Sequence, residues 1–113
     1  MGSELIEKYA FEAIDLIKKK EVSSSELLKA SQERHIEVDT QVNALPYTFY
    51  DKALTKAKSI NIDTETQNKK SLFGLPIAVK DYNDVGGVPT TFGSKLFSNN
   101  IPLKSDTTIA LLE

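Results

Sequence analysis

The run Leu75-Pro76-Ile77-Ala78-Val79-Lys80 constrains the fold more than any other stretch of this chain. Leu75, Ile77 and Val79 alternate with Pro76, Ala78 and Lys80, and a period of two puts successive side chains on opposite faces of a strand. One face is bulky and aliphatic; the other carries Pro, Ala and only then a charge. A strand apolar on both faces belongs inside a sheet covered on both sides, which predicts an α/β architecture with helices above and below it. Lys80 then falls on an interior face. Asp81 projects to the opposite side if the strand continues, so the adjacent opposite charges need not form a salt bridge.

Helices are expected before this strand. From Glu4 to about Lys19 the positions Ile6, Ala10, Ala13 and Ile17 recur at spacings of three and four, with Leu5, Ile14 and Leu16 widening the stripe, the pattern of an amphipathic helix. Lys18, Lys19 and Lys20 suit its negative pole. Ser23 and Glu26 have the spacing of a capping box, and Val22 and Leu27 that of a hydrophobic staple. A second helix is therefore expected from Ser24 to about Val38, burying Leu27, Leu28 and Ser31. His35, the single histidine, lies on that side and reads as structural, because no second histidine or cysteine is available to complete a metal site or catalytic pair. "VNALPYTF" reads as extended around Pro46, "YDKALTKAK" as a third helix. Tyr47, Phe49 and Tyr50 read as packing side chains where elements meet.

After the strand, "DVGGVPTTFGS" predicts a turn at Gly86-Gly87, an extended segment through Val88, Thr90 and Phe92, and another turn at Gly93. Asp106 is a good N-cap for a final helix containing Ile109, Leu111 and Leu112. The expected organisation is one domain over 1–113: a helical lead-in over 4–60, a polar loop over 61–70, the lysine strand and hairpin over 71–94, and the start of a helix over 106–113.

Bulk properties narrow the function by exclusion. The 113 residues are 40% hydrophobic and 27% charged with a formal net charge of -2, so no long-range basic field favours nucleic acid or anionic lipid. Cysteine is absent, which removes disulfides, thiolate catalysis and thiolate metal sites and is compatible with a reducing cytoplasm. Apolar runs fall far short of the roughly 20 residues a bilayer requires. A cytoplasmic address is expected, without membrane or metal. No GxxxxGK[ST], GxGxxG, SxxK, GxSxG or HExxH pattern occurs, and no cofactor is expected. What remains is Lys80: a lysine held neutral by burial is a usable base, its pKa falling by up to about 3 to 5 units when fully enclosed.

Taken together, "LFGLPIAVKDYNDVGGVPTTFGS" resembles the amidase signature family, whose members carry a G-[IV]-P segment running into a Lys-Asp pair and then a DV-x-G-V-x-TT-x-GS segment. Upstream, "EVSSSELLKA" and "VNALPYTFYDKALTKAK" are similar to the helical lead-in of these enzymes, and downstream "SDTTIALLE" is similar to the helix after the lysine hairpin. The resemblance implies a hydrolase of carboxylic amide C–N bonds on a mixed sheet with helices on both faces, acting through a serine, a second serine with a cis peptide bond, and a lysine. Lys80 stands at the position of that lysine, and Asp81, Thr90, Thr91, Gly93 and Ser94 stand at positions that shape the site.

The family's glycine- and serine-rich segment, which holds both serines and the oxyanion hole, has no counterpart in these 113 residues, so the chain reads as an incomplete piece of the α/β/α fold. Truncation, an early stop or a split gene would each produce it, and alone it is expected to be inactive. The preferred parent is a stand-alone amidase acting on a small-molecule amide. The alternatives are a glutamine-hydrolysing subunit of a tRNA-dependent amidotransferase, or a non-catalytic module that self-associates through uncovered sheet edges.

Overall fold

The computed structural model describes residues 2–60, 69 and 72–113, and the expected loop over 61–70 lies, Lys69 apart, outside them. The chain divides into two compact units, Met1–Ile77 and Ala78–Glu113.

The first unit holds α1 (Gly2–Ile6), α2 (Ala10–Lys18), α3 (Ser24–Val42) and α4 (Tyr50–Ser59). The single helix expected from Glu4 to Lys19 is two, because the Glu12 carboxylate accepts the Tyr9 amide at 2.8 Å and holds Tyr9 in an extended conformation at the new N-cap. An apolar stripe fixes which face is buried, and a local acceptor decides where the helix restarts. At the other end of α2, Lys20 takes a left-handed backbone, and the Glu21 and Val22 amides return to the Leu16 carbonyl at 3.0 and 3.4 Å.

The capping box at the start of α3 forms as its spacing predicts. Ser23 Oγ accepts the Glu26 amide at 3.2 Å, and Glu26 Oε2 accepts the Ser23 amide at 2.8 Å. The helix continues past Val38 to Val42. It closes on Asn43, whose φ of 50° is left-handed, while Asp39 Oδ1 accepts the Ala44 amide at 2.7 Å. α3 packs against both α1 and α4. Ala13, Ile17, Leu27 and Phe73 form the buried core, with Leu5, Val22, Ile60 and Leu75 packed around it. Ser24 Oγ donates to the Gly74 carbonyl at 2.7 Å. Gly74 has a φ of 71°, and a Cβ there would lie 3.2 Å from that of Ser24, so this approach needs glycine.

The second unit overturns the expected fold class. Among the described residues there is no β-strand and no sheet: the elements are five α-helices and one 3₁₀ turn. Residues 75–80 belong to neither a helix nor a ladder. In their place, residues 84–91 and 100–106 run past one another in opposite directions. Gly87 donates to the Pro102 carbonyl, Thr90 to that of Asn100 and Asp106 to that of Asp84, each at 2.9 Å. The backbone bonds come about three residues apart, and side chains fill the gaps. Pro89 and Pro102 have no amide to donate, and the Val85–Val88 turn, with Gly87 at a φ of 77°, removes further pairing positions. The β-like composition is therefore present without a regular ladder. Val85, Val88 and Ile109 are buried together, with Val79 packed on them. Ile109 belongs to α5 (Thr107–Leu112), which begins at Asp106 as expected. The Asp106 carboxylate, however, accepts the Asp84 amide at 2.9 Å and does not cap its own helix.

Candidate functional site

The residues singled out around Lys80 lie in the second unit and are tied together mainly by side-chain acceptors. Lys80 closes a turn, its carbonyl accepting the Asn83 amide at 3.0 Å, and its side chain is exposed. The interior position expected for it is not observed. An interior face exists only where neighbouring strands and helices cover it, and the described residues here form no sheet.

Asp81 is the hub. Its Oδ1 accepts the Thr91 amide at 2.8 Å, and its Oδ2 accepts the Thr91 hydroxyl. The Thr91 hydroxyl and then the Thr91 amide are the main reasons that the Asp81 carboxyl is held below the ordinary carboxylate range, against the opposing effect of burial. Thr91 to Ser94 forms a tight turn, with the Ser94 amide donating to the Thr91 carbonyl at 2.9 Å. Phe92 and Gly93, with φ of 53° and 70°, occupy its two central positions. Phe92 is thus in a left-handed conformation and not in the extended one expected for it. Gly93 donates to Thr91 Oγ1 at 3.3 Å, and Ser94 Oγ accepts the Leu96 amide at 3.3 Å, starting the 3₁₀ turn Lys95–Phe97.

Thr90 is 1% exposed, the most buried of the six. Its amide and carbonyl both bond Asn100, the latter through Asn100 Nδ2 at 2.9 Å. The structure therefore brings Asp81, Thr91 and Gly93 into one bonded group. It places Thr90 and Ser94 on either side of that group and leaves the Lys80 side chain outside it.

Asn100, Ser105 and Asp106 are not among the site-shaping positions that the sequence indicates, yet they hold this region. Ser105 Oγ accepts the Gly86 amide at 3.0 Å, and a Cβ on Gly86 would come within 3.2 to 3.3 Å of backbone atoms of Leu103 to Ser105. The available signal is the cluster of short polar residues after Gly93, a composition that favours side-chain to backbone bonding.

In the first unit, His35 Nε2 donates to Asp39 Oδ2 at 3.0 Å. The His35 ring lies 5.8 Å from that of Tyr50, and its Nδ1 is buried without a hydrogen-bond partner. Burial and then the Asp39 charge push the Tyr50 hydroxyl above its usual pKa. A mostly apolar cleft of about 250 Å³ includes Leu5, Ala13, Leu27, Leu75 and Pro76 in its lining and contains none of the residues named around Lys80. Among the described residues, no group of three or more histidine, cysteine or carboxylate side chains could hold a metal, and no helix is long and apolar enough to cross a membrane.

Comparison with known proteins places this geometry in a family. The family model described as Amidase matches residues 26–113. The chain is similar to the A subunit of glutamyl-tRNA(Gln) amidotransferase from Sulfurihydrogenibium sp., 39% identical over 111 residues, which covers 97% of this chain and 23% of the relative. The protein of the same name from Clostridium novyi is 35% identical over 111 residues, again 97% of this chain and 23% of the relative. That from Acidothermus cellulolyticus is 37% identical over 101 residues, 88% of this chain and 20% of the relative. The chain thus spans less than a quarter of the length of these curated relatives. With the match running through the Lys80 turn, the Asp81–Thr91 group and α5, the chain belongs to the amidase signature family.

Proposed function

We propose that this chain supplies Lys80 as the catalytic lysine of an amide C–N hydrolase. A serine attacks the amide carbonyl, and its proton passes through a bridging second serine to the lysine amine. The proton returns to the departing amine, and water then hydrolyses the acyl-enzyme. Neither serine nor the oxyanion hole is assigned to residues 1–113, so these residues by themselves are not expected to turn substrate over. Lys80 is exposed.

The observation that carries this reading is similarity, along almost the entire chain, to relatives named for glutamyl-tRNA(Gln) amidotransferase. It also favours a glutamine-hydrolysing subunit of a tRNA-dependent amidotransferase over the stand-alone amidase preferred from the "VNALPYTFYDKA" lead-in and the "DVGGVPTTFGS" segment. Asp81, Thr90, Thr91, Gly93 and Ser94 shape the site in either case.

The test uses the Sulfurihydrogenibium subunit with its aligned segment replaced by this chain, assayed with its partner subunits for ammonia release from glutamine. The hybrid should be active, and Lys80→Met should lower its turnover by about 10² to 10⁴-fold, the range of a lost acid–base group. Turnover indifferent to Lys80→Met would overturn the assignment.

A further inference from the structure

Lys80 stands at the mouth of a loop closed by one carboxylate. Asp81, the next residue, bonds Thr91 twice, through the amide at 2.8 Å and through the hydroxyl. The hydroxyl also accepts the Gly93 amide at 3.3 Å, so its single proton is committed to Asp81. An ionised acceptor makes both bonds to Asp81 charge-assisted, the strong class of hydrogen bond. The far end of the clamp is held in its turn: Thr90 is buried and bonded twice to Asn100, and Val85 and Val88, inside the loop, are buried with Ile109. Lys80, by contrast, is exposed.

We infer that Asp81 is a positioning residue for Lys80: the carboxylate, gripped by Thr91, fixes the backbone from which the lysine side chain departs. This rests on the role proposed above for Lys80. The chemistry separates the relevant substitutions. Asp81→Asn keeps the shape and one acceptor but turns an NH₂ donor toward a hydroxyl whose own proton needs an acceptor. Thr91→Val removes the hydroxyl and keeps the amide bond. Thr91→Ser keeps both.

The experiment measures ¹⁵N relaxation and amide hydrogen exchange on the 113-residue chain, wild type and the three variants. In Asp81→Asn the Thr91 amide should exchange faster by about tenfold or more, and the Lys80 order parameter should fall. Thr91→Val should show the same changes to a smaller extent, Thr91→Ser should match wild type, and the amides of α3 should be unaffected throughout. Wild-type behaviour of Lys80 and Thr91 in Asp81→Asn, or a Thr91→Ser chain as loose as Thr91→Val, overturns the inference. If Asp81→Asn does not fold, the two Thr91 variants still decide. In the hybrid enzyme, Asp81→Asn should lower kcat with KM unchanged. Lys80-dependent turnover indifferent to Asp81→Asn rejects the positioning role and leaves the proposed function standing. Turnover indifferent to Lys80 itself rejects both, even if relaxation shows the clamp intact.

Discussion

At Asp39 the two carboxylate oxygens have separate tasks. Oδ1 accepts the Ala44 amide at 2.7 Å and the Leu45 amide at 3.4 Å beyond the end of α3, and Oδ2 receives His35 Nε2 at 3.0 Å. The Ala44 amide is the largest cause of a carboxyl pKa below the ordinary value; burial opposes it, and the His35 hydrogen bond adds to it. A carboxyl whose folded pKa is depressed contributes stability that is complete above its unfolded pKa, about 3.9, and is lost as pH falls through the lower folded value. The Ala44 and Leu45 amide resonances should therefore titrate with a midpoint below about 3.9, and a midpoint at or above that value would contradict the assignment. Residues with a local partner of this kind were only partly legible. The sequence indicated that His35 was structural, but Asp39 acquires its importance only once α3 is known to run beyond Val38. Lys80 shows the opposite limit: alternation assigns it a face, while its exposure depends on what lies beside the segment 75–80, which forms no strand.

Individual elements were legible to the extent that their determinants lie within a few residues. Ser23 and Glu26 bond each other's backbone as their spacing predicts, and Val22 packs on the cluster containing Leu27. Ser23→Ala should destabilise the first unit by about 1 kcal/mol, read as a lower urea midpoint for the α3 amides with an unchanged slope. No shift in that midpoint would mean the cap is not a stabilising contact in solution. The interruption between α1 and α2 was not legible, since the apolar stripe is continuous through it and a single glutamate side chain sets the restart. The residues from Leu75 to Lys80 depart from the expected strand for a different reason. A strand is defined by pairing with another segment, and in the described residues nothing pairs with this one.

For the molecule as a whole, the unit Ala78–Glu113 buries a small aliphatic cluster and leaves large side chains in solvent. Leu103 is 96% exposed, Leu96 91% and Leu111 81%. Surfaces of this kind favour association, so light scattering should show a mass that rises with concentration. A monodisperse monomer at high concentration would count against it. No sheet edge is present among the described residues, so the self-association expected at such edges would have to use these apolar side chains instead.

The paired segments of that unit differ from a β-ladder in one further respect. In a ladder every residue offers the same amide and carbonyl, so a strand can slide and pair again. Here three contacts require a particular side chain: Asp106 on Asp84, Ser105 on Gly86 and Asn100 on Thr90. A shift of one residue would leave Asp, Ser and Asn facing the wrong amides and carbonyls. The alignment of these segments is thereby written into residue identity, and an insertion between Thr91 and Asn100 would be expected to bulge the turn outward rather than shift the pairing.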